Sequence, residues 1–280
     1  MRKVGIVCDS TFGLSEEFQN QHHITVTPLK ILIEQAEYVD GKLDPDVIIQ
    51  ALHDKKEIKT SQPTPEIFIK AFEEQLKKYD EVLCVTISST LSGTYNSAQL
   101  AKKILKDDPR IMVIDSETTI NGGAYLVERL VEYLDEGHSL AEGVARLEEL
   151  KEKGSLVFTV NNLQTLVRNG RLGKIQAFIG NILKIKPILR FKQGVLELEH
   201  KVRSFGNVIL YLVNEVEKLL EKGRVIVRIA YVDESVRAKE LEHEIFQLGE
   251  DVSVRLTGII SPIVSAHVGL GGLGVYLATV

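Results

Sequence analysis

The sequence predicts an α/β protein of two domains, and three observations carry that prediction. Short β-branched runs alternate with helical patterns through the first half, which argues for a mostly parallel sheet with helices on both faces. The pattern changes after Gly154 to longer runs that include a hairpin signal, which argues for a second, mixed or antiparallel sheet with helices packed on it. The chain of 280 residues, 44% hydrophobic and 26% charged, can bury a sizeable core without disulfides or a structural metal. This composition excludes a disordered or fibrous chain.

In order, residues 3–8, 24–33, 81–87 and 111–115 read as strands, with helical patterns at about 14–20, 44–52, 64–79, 92–107 and 120–136. Thr64-Pro65-Glu66 supplies a hydroxyl cap, proline at the first helical position and then an acid. Ser139 and Glu142 form a capping-box pair for a helix running to about 152. A boundary near 153 divides the chain into domains 1–153 and 154–280. Beyond it, residues 155–160, 188–192, 195–203, 224–232, 252–267 and 274–280 read as strands, and 172–184, 207–222 and 234–248 as helices. Lys192-Gln193-Gly194 reads as a hairpin turn, so its flanking strands are expected to be antiparallel. No repeat or low-complexity linker separates the halves, so they are expected to be tightly apposed.

The net charge is −5, which argues against a dedicated nucleic-acid binder. The charge is uneven: from Arg168 to Arg203 nine basic residues face only Glu197 and Glu199. Such a segment suits an acidic or phosphate-bearing partner, although a solvated basic face is the plainer reading. Cys8 and Cys84 each sit in an apolar run that reads as a buried strand, which suits a reducing cytosol. The first residues lack the pattern of a cleaved signal, and no run approaches the length of a membrane span, so a cytoplasmic location is expected.

Several motifs mislead. Gly269 to Gly274 spells GxGxxG, but the residues after it read as a strand, so a flexible loop is expected rather than a dinucleotide fingerprint. Gly173-Lys174 lacks the spacing of a phosphate loop, no GxSxG surrounds any serine, and Gln247 stands where His243-Glu244 would need its second histidine.

Four segments rich in small polar residues remain, each read as a loop of the α/β half: Asp9-Ser10-Thr11, Thr60-Ser61-Gln62-Pro63, Ser88 to Thr94, and Asp115-Ser116. Ligands bind at the carboxyl ends of strands in open α/β sheets, and hydroxyls leading into helix N-termini suit an anion. For Asp9, Ser10, Asp115 and Ser116 helix capping is the plain reading and anion binding the functional one. The stretch from Ser88 to Thr94 holds five hydroxyls, more than a cap needs, and Gly93 permits close approach to the backbone. His267 ends an apolar run: a satisfied core histidine is the plain reading, and a turn facing a cleft is the functional one. Within 161–191, Phe178, Ile179, Ile182 and Leu183 belong to a helix that is apolar on more than one face, fit either for a plain core or for covering a greasy cavity.

Taken together, CDSTFGL, TSQPT, SSTLSGTYNSA, VIDS, NGRLGKIQAFIGNILKIKPIL and AHVGLGGLG resemble, in this order and over nearly the whole chain, the DegV family of bacterial fatty-acid-binding proteins that serve a fatty-acid kinase. The resemblance implies one long-chain fatty acid, such as palmitate or oleate, held between the domains, and no cofactor. It implies carboxylate contacts from Thr60 and Ser92, with Ser61 and Gly93 beside them and His267 in the same polar network. It places Arg171 and Arg203 in a supporting, partner-facing role and lines the tail with Phe178, Ile179, Ile182 and Leu183. The implied partner is a kinase subunit carrying ATP, with transient membrane contact and no nucleic acid. The implied chain is a non-catalytic subunit that presents a carboxylate for acyl-phosphate formation, and so serves phospholipid metabolism. Ala266 and Leu270 depart from the family's usual threonine and proline, which alters the head-group network in detail. Two other readings are a stand-alone acyl hydrolase or transferase, with Ser92 as nucleophile and His267 as base, and a passive lipid carrier.

Overall fold

The computed structural model describes residues 2–161, 163–171 and 185–280. The predicted helix at 172–184, with Phe178, Ile179, Ile182 and Leu183, lies outside the described residues.

The chain begins with β1 (Val4–Asp9), a strand buried at every position, as its unbroken apolar run requires. After a 3-10 turn at Ser10–Phe12 come α1 (Glu16–Gln21), β2 (Thr25–Thr27), β3 (Lys30–Ile33), β4 (Ala36–Val39), α2 (Pro45–His53) and β5 (Ile58–Ser61). Next are α3 (Pro65–Leu76), β6 (Glu81–Thr86), α4 (Thr94–Ile104), β7 (Ile111–Asp115), α5 (Ile120–Asp135) and α6 (Leu140–Lys153). Strands β1, β2, β6 and β7 form an all-parallel sheet in the order β2-β1-β6-β7. Helix α3 starts at Pro65 after Thr64 as predicted, and Ser139 and Glu142 complete the capping box of α6.

The single strand predicted at 24–33 is two strands in different sheets. Pro28 follows β2 and cannot donate to a ladder, so the chain leaves the parallel sheet there. It resumes as β3 at the centre of a small antiparallel sheet, β4-β3-β5, which the sequence reading missed. Strands β4 and β5 are short edges with half their residues or more exposed, so they lack a strong apolar signal.

The second half holds β8 (Gly154–Thr159), α7 (Gln164–Arg168), β9 (Lys186–Lys192), β10 (Val195–Val202), α8 (Phe205–Leu220), β11 (Val225–Tyr231), α9 (Ser235–Phe246), β12 (Val252–Ile259), α10 (Pro262–Val268) and β13 (Leu273–Thr279). Its sheet runs β10-β9-β8-β13-β11-β12. The β11–β12 pair is parallel and the others are antiparallel, so the sheet is mixed as expected. Gln193 and Gly194 turn the β9–β10 hairpin with φ of 49° and 78°, as the two-residue signal predicted.

The strand predicted at 252–267 ends at Ile259, and Pro262–Val268 is helical. Proline at the first helical position after Ser261 is a helix-start signature that the apolar run masked. The glycine-rich stretch after it is a loop leading into β13, with no helix following.

Helix α5 packs between the parallel and mixed sheets, with Leu126, Leu130 and Leu134 fully buried. A side chain at Gly123 would collide with the Phe12 ring, so glycine sets the approach of α5 to the first strand's loop. The Asn121 amide donates to the Arg228 carbonyl at 2.6 Å and the Gly274 carbonyl at 3.1 Å, tying the helix to β11 and β13. Arg228 pairs with Glu128 at 2.5 Å beside the Tyr125 ring.

Candidate functional site

A cavity of about 310 Å³ lies where the three sheets meet. The loops after β1 and β6 bring Thr11, Ile87, Leu91 and Ser92 to it, and β5 brings Thr60 and Ser61. The entry to α5 supplies Thr119 and Ile120, and the mixed sheet adds Phe158, Phe191 and Leu196. One face of α10 completes the wall with Ile263, Val264 and His267. Its placement at the carboxyl ends of parallel strands follows the rule for open α/β sheets.

Several polar groups cluster at one part of the wall. Thr60 Oγ1 and His267 Nε2 are 2.8 Å apart. Ser92 Oγ meets Thr94 Oγ1 at 2.8 Å and accepts from the Thr94 amide at 3.3 Å. Gly93 stands just before α4, where an added side chain would collide with Gln62. Gln62 in turn donates to Ser97 Oγ at 3.1 Å, locking the TSQP loop onto α4. Arg171 lines the same cavity. Its guanidinium donates to the Leu91 carbonyl at 3.3 Å and the Asn169 carbonyl at 2.5 Å, and among the described residues it has no carboxylate partner. An unneutralised guanidinium in a cavity wall is matched to an anion.

Thr60, Ser61, Ser92, His267 and Arg171 therefore share one cavity, with Gly93 adjoining it. Arg203 does not: it is exposed between β10 and α8, away from the lining. The basic segment is also less free than its composition suggests. Arg190 is ion-paired with Glu199 and, at 2.6 Å, with Glu215, and Lys186 donates to Asn161. Of the four residues expected to cap, Asp9 does so, its carboxylate accepting from the Thr11 amide at 3.0 Å at the 3-10 turn, whereas Asp115 accepts from the Ser89 and Glu117 amides at 3.0 and 2.8 Å and Ser10 Oγ from the Leu29 amide at 3.1 Å, away from any helix start.

Ser92 and His267 do not form a nucleophile–base pair. The serine hydroxyl is engaged by Thr94 and the imidazole Nε2 by Thr60. His267 Nδ1 is buried without a partner, so among the described residues no acid orients the ring. Burial, and next the Arg171 charge, pull the His267 pKa down to about 4, so the ring is neutral at pH 7.

A family model described as "Uncharacterised protein, DegV family" matches residues 3–280. This chain belongs to the DegV family. A DegV domain-containing protein of Staphylococcus aureus (strain COL) is 37% identical over 280 residues, covering 98% of each chain. Two solved DegV structures, each aligned over 100% of both chains, share the fold. One, from Thermus thermophilus and described as showing fatty acid binding, has a TM-score of 0.91 at 31% identity. The other, the Bacillus subtilis DegV described as a fatty acid binding protein, has a TM-score of 0.90 at 26% identity.

Sequence reasoning missed much of this DegV chain's cavity wall. Ile263 and Val264 were read as strand, yet with His267 they recur at helical spacing, a signal available once Ser261-Pro262 is taken as a helix start. Ile120 gave no sequence signal. It has φ of 52° at the first turn of α5, an unfavourable conformation for a β-branched residue that tertiary packing alone enforces.

Beneath the cavity, Asp9 also accepts from the Ile87 amide at 2.6 Å, and Asp40 accepts from the Ile263 amide at 3.0 Å at the start of α10. Burial, outweighing these donors, raises each carboxyl from 3.8 to about 6. Such groups stabilise the fold fully below about pH 4, and the contribution is lost as pH rises through about 6. His267 acts oppositely: its contribution is present above about pH 6.5 and lost as pH falls through about 4. Asp40→Asn removes one of the two carboxyls. The gain in unfolding free energy on going from about pH 7.5 to about pH 5 is expected to shrink by roughly 1 kcal/mol relative to the parent. Paired thermal melts at the two pH values check this, and an unchanged difference would contradict it.

Proposed function

We propose that this chain binds one long-chain fatty acid in the cavity and presents its carboxylate to a partner kinase. The observation that carries the reading is the make-up of the cavity: a largely apolar wall with a cluster of hydroxyls, a neutral imidazole and a guanidinium that has no carboxylate partner among the described residues. Fatty acid binding in whole-chain relatives of the same fold supports it.

The tail supplies affinity. Roughly 15 methylenes buried at about 0.8 kcal/mol each offer on the order of 12 kcal/mol, from which association and chain ordering take a large share. The head group supplies orientation. Thr60 and Ser92 hydroxyls donate to the carboxylate, Ser61 and Gly93 border it, and Arg171 balances its charge. His267 carries its proton on Nε2 and donates to Thr60 Oγ1, which turns the threonine proton toward the ligand. This tautomer leaves a bare acceptor, rather than an N–H, without a partner at Nδ1.

The carboxylate is already ionised at neutral pH, so attack on phosphorus needs no strong base. A carboxylate oxygen forms the new bond to the γ-phosphorus of ATP, the bond from that phosphorus to the β–γ bridging oxygen breaks, and ADP leaves. The kinase supplies ATP and Mg²⁺, since phosphoryl transfer is mostly positioning and electrostatics. In this division the lobes 1–153 and 154–280 clasp the acid, and exposed Arg203 belongs to the surface that meets the kinase in the cytoplasm.

The test is organic extraction of the purified protein followed by mass spectrometry. About one long-chain acid per chain is expected. Protein free of lipid that takes up neither palmitate nor oleate would overturn the reading.

A further inference from the structure

A second cavity, of about 90 Å³, continues the first along one face of the mixed sheet. Residues two apart on a strand share a face. On β8, Phe158 lines the large cavity, while Leu156 and Gly154 line the small one. On β13, Gly274 lies opposite Phe158 and Tyr276 opposite Leu156, so the small cavity lies farther along β13 from the end that α10 enters with His267. Phe191 lines both cavities.

The small cavity reverses the character of the tunnel interior. Thr118, Ser155 and Tyr276 line it, and each has a buried hydroxyl with no hydrogen-bond partner among the described residues. Tyr276 is 2% exposed and Thr118 is 7% exposed. A side chain at Gly154 would collide with the Tyr276 hydroxyl, so the glycine keeps that group accessible within the fold. Buried hydroxyls are normally satisfied, so three around one space call for an occupant that forms hydrogen bonds.

We propose that this compartment is a terminal subsite for a hydroxyl group carried at the methyl end of a long-chain acid, with Phe191 as the partition that the chain passes. The inference rests on the fatty-acid reading of the large cavity. Plain chains stop at Phe191 and leave water on the three hydroxyls. A plain methyl end that goes farther displaces that water without replacing its hydrogen bonds.

The test uses delipidated full-length protein and matched pairs of saturated acids of about fourteen to twenty carbons, plain and ω-hydroxylated, with affinities measured by calorimetry. Once the chain is long enough to pass Phe191, the hydroxylated acid is expected to bind at least as tightly as its plain partner. Shorter hydroxylated chains, ending in the apolar cavity, are expected to bind about tenfold or more weakly than theirs. Tyr276→Phe should weaken only the long hydroxylated chain, by about tenfold. Should that variant fail to fold, Ser155→Ala is expected to give the same selective loss. Weaker binding of the hydroxylated acid at every length, or equal losses for both acids in the variants, would overturn the subsite while leaving the fatty-acid reading intact. Failure of every acid to bind would overturn both.

Discussion

Replacing Thr60 and Ser92 together by alanine is expected to lower acyl-phosphate formation with the partner kinase by about a hundredfold or more, while lipid still co-purifies. Each hydroxyl offers one hydrogen bond to an ionised carboxylate, worth about 1.5–3 kcal/mol, or roughly tenfold to a hundredfold in a rate that depends on presentation. The two share one carboxylate, so their effects will not simply add. Loss of Thr60 also deprives His267 Nε2 of its 2.8 Å partner and frees the ring to rotate. On the proposed reading retention depends on the buried tail rather than on these two hydroxyls, so the defect should appear in rate rather than in lipid content. Kinase assays and thermal melts on the single and double variants check this. Normal rates in the double variant would place the carboxylate elsewhere.

The second large effect is expected from filling the cavity. Val264 is 9% exposed and lines the cavity from α10. Val264→Phe adds about four carbons there, equivalent to about four methylenes of acyl chain at about 0.8 kcal/mol each. Fatty acid affinity is expected to fall by about a hundredfold, with little change in melting temperature because the new ring occupies existing space. Calorimetric titration with palmitate measures the first and thermal unfolding the second. Full affinity in a folded variant would mean that the acyl chain does not run past α10.

Much of the scaffold was legible because it follows from local rules. The run from Val4 to Asp9 has no exposed residue and could only be a central strand. The hairpin at Gln193-Gly194 needed left-handed backbone that this pair supplies. The helix at 262–268 was misread because six of its seven residues are buried, so it blends into the apolar run before it, and only the proline marked its start. The small sheet was invisible because β4 and β5 are exposed edges whose partner, β3, was joined in the reading to β2.

The same division holds for the site. Hydroxyl-rich loops, a glycine among the hydroxyls of Ser88 to Thr94, and the order of several short motifs are properties of the chain itself, because capping, backbone sterics and motif spacing act over a few residues. Three things depended on the assembled fold. Thr60 and His267 meet across 207 positions of sequence, Arg171 finds carbonyls but no acid among the described residues, and Ile120 is held in a backbone conformation it disfavours. Each results from packing elements that local propensity cannot bring together. The shape of the space between three sheets, and the pKa of a histidine beside it, depend on which surfaces exclude water and which charges remain close.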